Sequence, residues 1–129
     1  MKQPETDLFG AVKPPFKAPN RKLEGNALIE VLRALNAHPC VAWCHRQNTG
    51  ALRVGARFVK FGWPGCSDIL GQLTDGRFLA VECKSKKGKA TPEQVAFLER
   101  INGNGGLGFI AKNCADVFRA LRDIQGENP

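Results

Sequence analysis

The chain has 129 residues, of which 43% are hydrophobic and 24% charged, and this composition favours one globular domain with a core of its own. It has no apolar run near the roughly 20 residues of a membrane span, and its first residues lack the apolar segment of a secretory signal. The five cysteines, an odd number, favour reduced thiols and a cytoplasmic protein. A formal net charge of +7 favours a polyanionic partner such as nucleic acid, although many small basic proteins have none.

The N-terminal part of the chain predicts an arm followed by a helix. Residues 1–20 are rich in proline and lack hydrophobic periodicity, which predicts a flexible arm. The first helix is predicted from about Arg21 to Asn36, with Asn20 as its N-cap. Its buried face is predicted from apolar residues at the i, i+3, i+4, i+7 spacing, namely Leu28, Val31, Leu32 and Leu35.

Two acidic residues of this helix differ in phase. At about 100° per residue, Glu24 falls in the middle of the apolar stripe and Glu30 on the solvent side. An inward carboxylate usually has a partner, so Glu24 is a candidate site residue.

Strands are predicted next. One runs from Cys40 to Gln47, and Ala51–Phe61 is predicted as one extended or bent segment after an "NTG" turn. After the turn "GWPG", Ser67–Leu73 is strand-like, and "TDG" leads into the strand of "RFLAVECKSKKGK".

The C-terminal part alternates helix and strand. A second helix is predicted after Ala90, capped by Thr91 with Pro92 in its first position. Its predicted inner face comprises Val95, Leu98 and Ile101. A strand at Leu107–Ala111 and a helix at Cys114–Ile124 follow. This order predicts an α/β fold with a mixed sheet flanked by helices.

The strand that begins at Phe78 ends on two charges. Alternation places Glu82 and Lys84 on the face of Phe78 and Ala80, opposite the residues that face the core. Whether Asp68 meets Glu82 depends on the hairpin. A two-residue turn would pair Ile69 with Glu82, whereas a three-residue loop with a left-handed Gly76 pairs Asp68 with Glu82.

If Asp68 and Glu82 pair, their mutual repulsion raises one pKa, and a hard divalent cation such as Mg²⁺ relieves that cost. Lys84 could then orient a water or stabilise charge on a phosphate. The alternative is a surface Glu–Lys pair, with Asp68 in a turn. Gln94 also has two uses, a capping box with Thr91 or a place in the site.

Other residues raise further alternatives. His38, Cys40, Cys44 and His45 could bind zinc, but Cys40 and Cys44 do not share a strand face with His45 and no CxxC pair occurs. Trp43 and Trp63 could stack on nucleobases, although packing in a core or turn is more common.

Three segments resemble the VRR-NUC (virus-type replication–repair nuclease) family of the PD-(D/E)XK nuclease superfamily: "GWPGCSDILG", "DGRFLAVECKSKKGKATPEQVAFL" and "GGLGFIAKNCADV". The family's Gly-x-x-Asp segment falls on Gly65–Asp68, its Glu-x-Lys on Glu82–Lys84, and its helical Gln on Gln94. Glu24 best matches the acid of the family's first helix. The resemblance covers about Arg21 to Leu121, and Ser67 replaces the family's proline.

The resemblance implies a restriction-endonuclease-like core at residues 21–125, between the arm at 1–20 and a tail at 126–129. It implies a Mg²⁺- or Mn²⁺-dependent endonuclease that hydrolyses phosphodiester bonds in DNA, with preference for junction- or flap-like structures. Replication, repair or recombination in a prokaryotic or phage-infected cell would be its setting, and a homodimer is a further expectation. A non-catalytic DNA-binding module and a sequence-specific restriction-type nuclease are the alternatives.

The resemblance also implies roles for single residues. Asp68, Glu82 and the backbone carbonyl of Cys83 would bind the metal, with Glu24 contributing. Lys84 would be the catalytic lysine, and Gln94 would support the site. Phosphate contacts are expected from the basic loop formed by Lys86, Lys87 and Lys89. The alternative is that this loop is only solvated. Arg46, Arg53 and Arg57 are the other residues expected to contact DNA, on what is called here the arginine side of the protein.

Overall fold

The computed structural model describes residues 21–47, 50–61 and 63–127; the predicted arm and the Asn20 cap lie outside them. The elements, in chain order, are α1 (Arg21–Ala37), β1 (Val41–Arg46), β2 (Gly50–Val54), β3 (Arg57–Phe61), β4 (Ile69–Leu73), β5 (Phe78–Cys83), α2 (Pro92–Gly103), β6 (Leu107–Ala111) and α3 (Cys114–Glu127). None of the described helices has the length and apolar character needed to cross a membrane.

Four strands form a mixed sheet in the order β1-β4-β5-β6. β4 is antiparallel to both β1 and β5, whereas β6 runs parallel to β5 after the α2 crossover. α1 and α3 pack against each other on one face of the sheet, and α2 packs over β5 and β6 on the other. The predicted α/β fold with a mixed sheet flanked by helices is therefore confirmed.

The core divides into two clusters because the strands alternate. Leu79, Val81 and Cys83 face α1 and α3 in the larger cluster, whereas Ala80 packs with Phe97 and Leu98 beneath α2. The apolar stripe of α1 is also confirmed: Leu28, Val31 and Leu35 are buried, and Leu32 packs against them.

Three sequence-based expectations were wrong. Val95 is 39% exposed, and Phe97 takes the predicted inner place beside Leu98. Residues 51–61 are not one strand: β2 and β3 form a separate antiparallel hairpin, turned at Gly55 (φ +60°). α3 ends at Glu127, beyond the predicted end of this helix at Ile124.

Of the two loops that the sequence allows for the β4–β5 hairpin, the structure has the three-residue one. Gly76 has a φ of +95°, in the left-handed region that favours glycine. The Leu73 N–H donates to the Arg77 carbonyl at 2.8 Å, which closes the loop around Thr74–Gly76. Ile69 consequently lies opposite Val81. The same register places Asp68 opposite Glu82 at the end of the ladder.

Candidate active site

The candidate site lies at one edge of the sheet. The strand directions bring the C-terminal ends of β1, β5 and β6 to this edge, together with the N-terminal end of β4. Asp68 directly precedes β4, and Glu82 lies near the end of β5. The edge therefore gathers residues that are far apart in the sequence.

Asp68 is fixed by the backbone on both sides of its strand. Its Oδ2 accepts the Cys83 N–H at 2.8 Å, and its carbonyl accepts the Gln47 N–H at 2.6 Å. Upstream, Gly65 has a φ of +79°, and a Cβ there would lie 2.8 Å from the Glu93 carbonyl oxygen. The glycine of the Gly-x-x-Asp segment thus allows the loop to pass close to the first turn of α2.

Glu82 is the most deeply buried acid among the described residues, with 1% of its surface exposed. Its Oε1 accepts a hydrogen bond from Gln94 Nε2 at 2.8 Å, and Lys84 Nζ lies 3.6 Å from the same oxygen. Its Oε2 is buried and finds no hydrogen-bond partner among the residues described. A buried carboxylate oxygen of this kind is costly unless a proton or a cation binds it.

Gln94 serves as both a cap and a site residue. Its Oε1 accepts the Thr91 N–H at 2.9 Å and its own N–H donates to Thr91 Oγ1 at 3.2 Å, completing the predicted capping box. Because one amide group carries both an acceptor and donors, Nε2 remains available for Glu82. The two predicted uses of Gln94 are therefore compatible.

The electrostatics of the pair follow from burial. Desolvation, the charge of Asp68 and the hydrogen bond that Asp68 can accept from a protonated Glu82 raise the pKa of Glu82 to about 8, and the ammonium of Lys84 offsets only part of this rise. Burial and the nearby Asp68 therefore favour the protonated form of this carboxyl when no cation is bound. Binding a proton or a divalent cation removes the same repulsion.

The donor set fits a hard divalent cation in part. Asp68 and Glu82 supply carboxylate oxygens, the ligands that Mg²⁺ and Mn²⁺ favour, and Glu82 Oε2 needs a partner. Within the described ranges, no group of three or more His, Cys, Asp or Glu residues could hold a metal. Glu24 lies on α1, but its side chain falls outside the described residues, and the role of the Cys83 carbonyl stays a prediction.

Comparisons with protein-family models, curated proteins and solved structures found no match to this chain. The resemblance to the VRR-NUC family therefore stays a prediction that rests on the sequence motifs.

Basic side chains lie on the segments that follow β5 and β6 at this edge of the sheet. Lys86, Lys87 and Lys89 are exposed on the segment between β5 and α2. Lys112, which follows β6, donates from Nζ to the Lys86 carbonyl at 2.9 Å and so joins this basic loop to the sheet edge. The sequence analysis did not identify Lys112. A signal was present, because a strand that follows a helical crossover runs parallel to β5, and the residue after it then lies at the same edge as Glu82.

The three arginines fall into two groups. Arg46 is exposed at the end of β1, opposite Ile69, and so lies at the edge that carries the site. Arg53 and Arg57 are exposed on the β2–β3 hairpin, which among the described strands pairs only with itself. Only Arg46 thus lies at the same edge of the main sheet as the acidic pair, and it belongs to the face that Ile69 shares with α1, not to the face of Glu82.

The suggested zinc residues have other partners. His38 Nδ1 accepts the Cys40 N–H at 3.1 Å, and the Cys44 thiol donates to Asn36 Oδ1 at 3.3 Å. Burial lowers the pKa of His38. Cys66, near the acidic pair, is also no activated nucleophile: burial, then the charges of Glu82 and Asp68, raise the pKa of its thiol.

Proposed function

We propose that this protein is a Mg²⁺- or Mn²⁺-dependent endonuclease that hydrolyses phosphodiester bonds in DNA. The observation that carries the proposal is the buried Glu82 beside Asp68, with an unpaired Oε2 and with Lys84 and Gln94 on its other oxygen. The acids, the lysine and the glutamine occur in the order and spacing of the predicted nuclease motif.

The burial of Glu82 beside Asp68 argues against a purely binding module on the same fold. A DNA-binding surface gains affinity from cations, and carboxylates near phosphate reduce it. Glu82 also has a pKa of about 8, which reflects a net cost of ionising it in this environment. Such perturbed groups are typical of functional sites, where the cost is offset by chemistry.

Each residue has a distinct part in the proposed reaction. Asp68 and Glu82 would hold the cation, and Glu24 and the Cys83 carbonyl are predicted to complete its ligands. A bound Mg²⁺ or Mn²⁺ would make an attacking water more acidic and stabilise charge on the phosphate. Lys84 can orient that water or stabilise the same phosphate charge, and Gln94 holds Glu82 in its orientation.

The substrate and assembly follow from the resemblance and the charge. Lys86, Lys87, Lys89 and Lys112 form a cationic border beside the acidic pair, suited to DNA phosphates. We propose junction- or flap-like DNA from replication, repair or recombination as the preferred substrate, and a homodimer as the active assembly.

Cleavage of duplex, flap and four-way-junction DNA, with and without Mg²⁺ or Mn²⁺, tests the proposal. The wild-type protein should cut only with metal, and Asp68→Asn and Glu82→Gln should each abolish cutting. Both variants should still bind DNA, since neither adds negative charge near the phosphates. Asp75→Asn is the matched control, because Asp75 is an exposed turn residue paired with Arg77. Full activity in Asp68→Asn or Glu82→Gln would refute the assignment.

A further inference from the structure

The β1 end of the sheet face that carries Glu82 has no described helix above it. α2 packs over β5 and β6 and reaches Leu70 of β4, whereas no described helix lies on this face of β1. Trp43 on β1 lies opposite Gln72, and His45 lies opposite Leu70. Leu70 belongs to the cluster beneath α2, so these β1 residues share the face of the acidic pair rather than that of α1.

Trp43 is held in a fixed orientation although it is 46% exposed. Its Nε1 donates to Gln72 Oε1 at 3.1 Å, and its ring lies 5.8 Å from that of His45, at 38°. A tryptophan is usually buried, and the cost of exposing so large an apolar surface is offset when a ligand covers it. The ring is thus a planar surface that is open to solvent and contacted by Gln72 and His45.

The position of the ring points to the chemistry of its ligand. Gln47, four residues after Trp43, is bonded to Asp68, so the ring lies about 13 Å along β1 from the acidic pair. The strand contains no acid that would repel a phosphodiester chain, and His45 lies on the same face between the ring and the acidic pair. A ligand that spans both points would be long, flat at one end and anionic at the other.

We infer that Trp43, oriented by Gln72 and His45, stacks on an unpaired nucleobase of the DNA strand whose phosphate lies at the acidic pair. This inference rests on the proposed function. A base must leave its duplex to place its face on the ring, so Trp43 selects DNA with single-stranded character near the cut. Stacking accepts any base, because every base has a π face.

Tryptophan fluorescence tests the contact directly. In Trp63→Phe, which can keep the edge-on contact with Phe97, Trp43 is the remaining tryptophan. A thymidine oligonucleotide, added in EDTA so that no cutting occurs, should quench this fluorescence. An oligonucleotide of equal length and charge with abasic sites should bind without comparable quenching. Equal quenching by both would overturn the inference.

Affinity gives an independent readout. Trp43→Ala should weaken binding of the thymidine oligonucleotide about 5- to 150-fold and leave both the binding of the abasic one and the slope of log affinity against log salt unchanged. Trp63→Ala, which removes a ring that is 51% exposed, should preserve the preference for the base-bearing strand. Unaltered thymidine binding in Trp43→Ala would overturn the inference.

The two proposals fail separately. Base-dependent binding without metal-dependent cutting would refute the nuclease and keep the stacking contact. Metal-dependent cutting with no preference for bases over abasic sites would refute the stacking contact and keep the nuclease. Circular dichroism and thermal unfolding of each variant confirm that the fold is intact.

Discussion

Gln94 Nε2 donates to Glu82 Oε1 at 2.8 Å, while Oε1 of the same glutamine accepts the Thr91 N–H at 2.9 Å. One side chain thus joins the start of α2 to the acid at the end of β5. The helix cannot shift without moving the donor that orients Glu82. The capping box and the candidate site are therefore mechanically coupled.

Two substitutions separate these roles of Gln94. Gln94→Ala removes both side-chain contacts and should cost about 0.5–1.5 kcal/mol of stability through the lost hydrogen bond from the Thr91 N–H, although Thr91 Oγ1 still accepts the N–H of residue 94. Gln94→Glu keeps an acceptor for Thr91 but replaces the donor to Glu82 with a carboxylate. Helix capping should survive, and cleavage should fall as far as in the alanine variant. Urea unfolding and single-turnover cleavage measure the two effects. Wild-type turnover in Gln94→Glu would show that the contact with Glu82 is dispensable.

The raised pKa of Glu82 predicts a pH-dependent stability. Its ordinary value is 4.5 and its value in the fold about 8, so between these pH values the folded state binds more protons than the unfolded state. Stability contributed by this group is present below pH 4.5 and is lost as pH rises toward 8, by a few kcal/mol at most. Glu82→Gln should remove this decline.

Urea unfolding in EDTA between pH 5 and 9 measures this decline for wild type and Glu82→Gln. Asp75→Asn is a suitable comparison, because hydrogen bonding from the Arg77 N–H lowers the pKa of Asp75, so this acid stays ionised over the whole range and its variant should keep the wild-type decline. Mg²⁺ should restore stability more at pH 8 than at pH 6, since the cation competes with the proton. Parallel curves for wild type and Glu82→Gln would contradict the assigned shift.

Local sequence patterns predict much of this site, but they do not predict the pairing register of β4 and β5. Alternation alone places Glu82 and Lys84 together, and the Thr91–Gln94 spacing alone predicts the cap. Asp75-Gly76 satisfies both a two- and a three-residue loop, so only the Leu73–Arg77 hydrogen bond decides that Asp68 reaches Glu82. The pairing of β4 with β5 in the folded sheet, rather than the preference of any single residue, selects between the two loops.

The β2–β3 hairpin and Lys112 show two other limits. Gly55-Ala56 is a weak turn signal within a continuous strand-like segment, so the chain reversal there was not predicted. Lys112 contacts the Lys86 carbonyl across 26 positions of sequence, and no local pattern encodes that contact. Both depend on contacts between segments that fold back on each other.

Helical phase predicts a difference between two acids of α1. Glu24→Gln should reduce metal-dependent cleavage more than Glu30→Gln, because Glu24 is predicted to face inward. Glu30 is exposed, and its Oε2 accepts the Cys114 N–H at 2.9 Å, a role that glutamine can retain. Cleavage across a Mg²⁺ titration distinguishes a weaker metal site from a slower reaction. Equal effects of the two variants, or a larger one at Glu30, would show that the phase is wrong.

The basic loop should determine affinity without sequence preference. Lysine acts on phosphate largely as a point charge, so replacing Lys86, Lys87 and Lys89 with Ala should weaken binding equally for unrelated DNA sequences. The slope of log affinity against log salt should fall by about 0.9 for each DNA phosphate that the loop no longer neutralises. Lys84 differs, because its Nζ lies 3.6 Å from Glu82, and Lys84→Ala should reduce turnover far more than binding.

A salt titration of binding, beside single-turnover cleavage, separates these two lysine roles. Arg53→Gln with Arg57→Gln is the matched control, since it removes exposed positive charge from the separate β2–β3 hairpin. The hairpin variant should keep most of the wild-type slope if the DNA phosphates meet the basic loop. An unchanged slope in the triple lysine variant, with a reduced slope in the hairpin variant, would place the DNA on the arginine side instead.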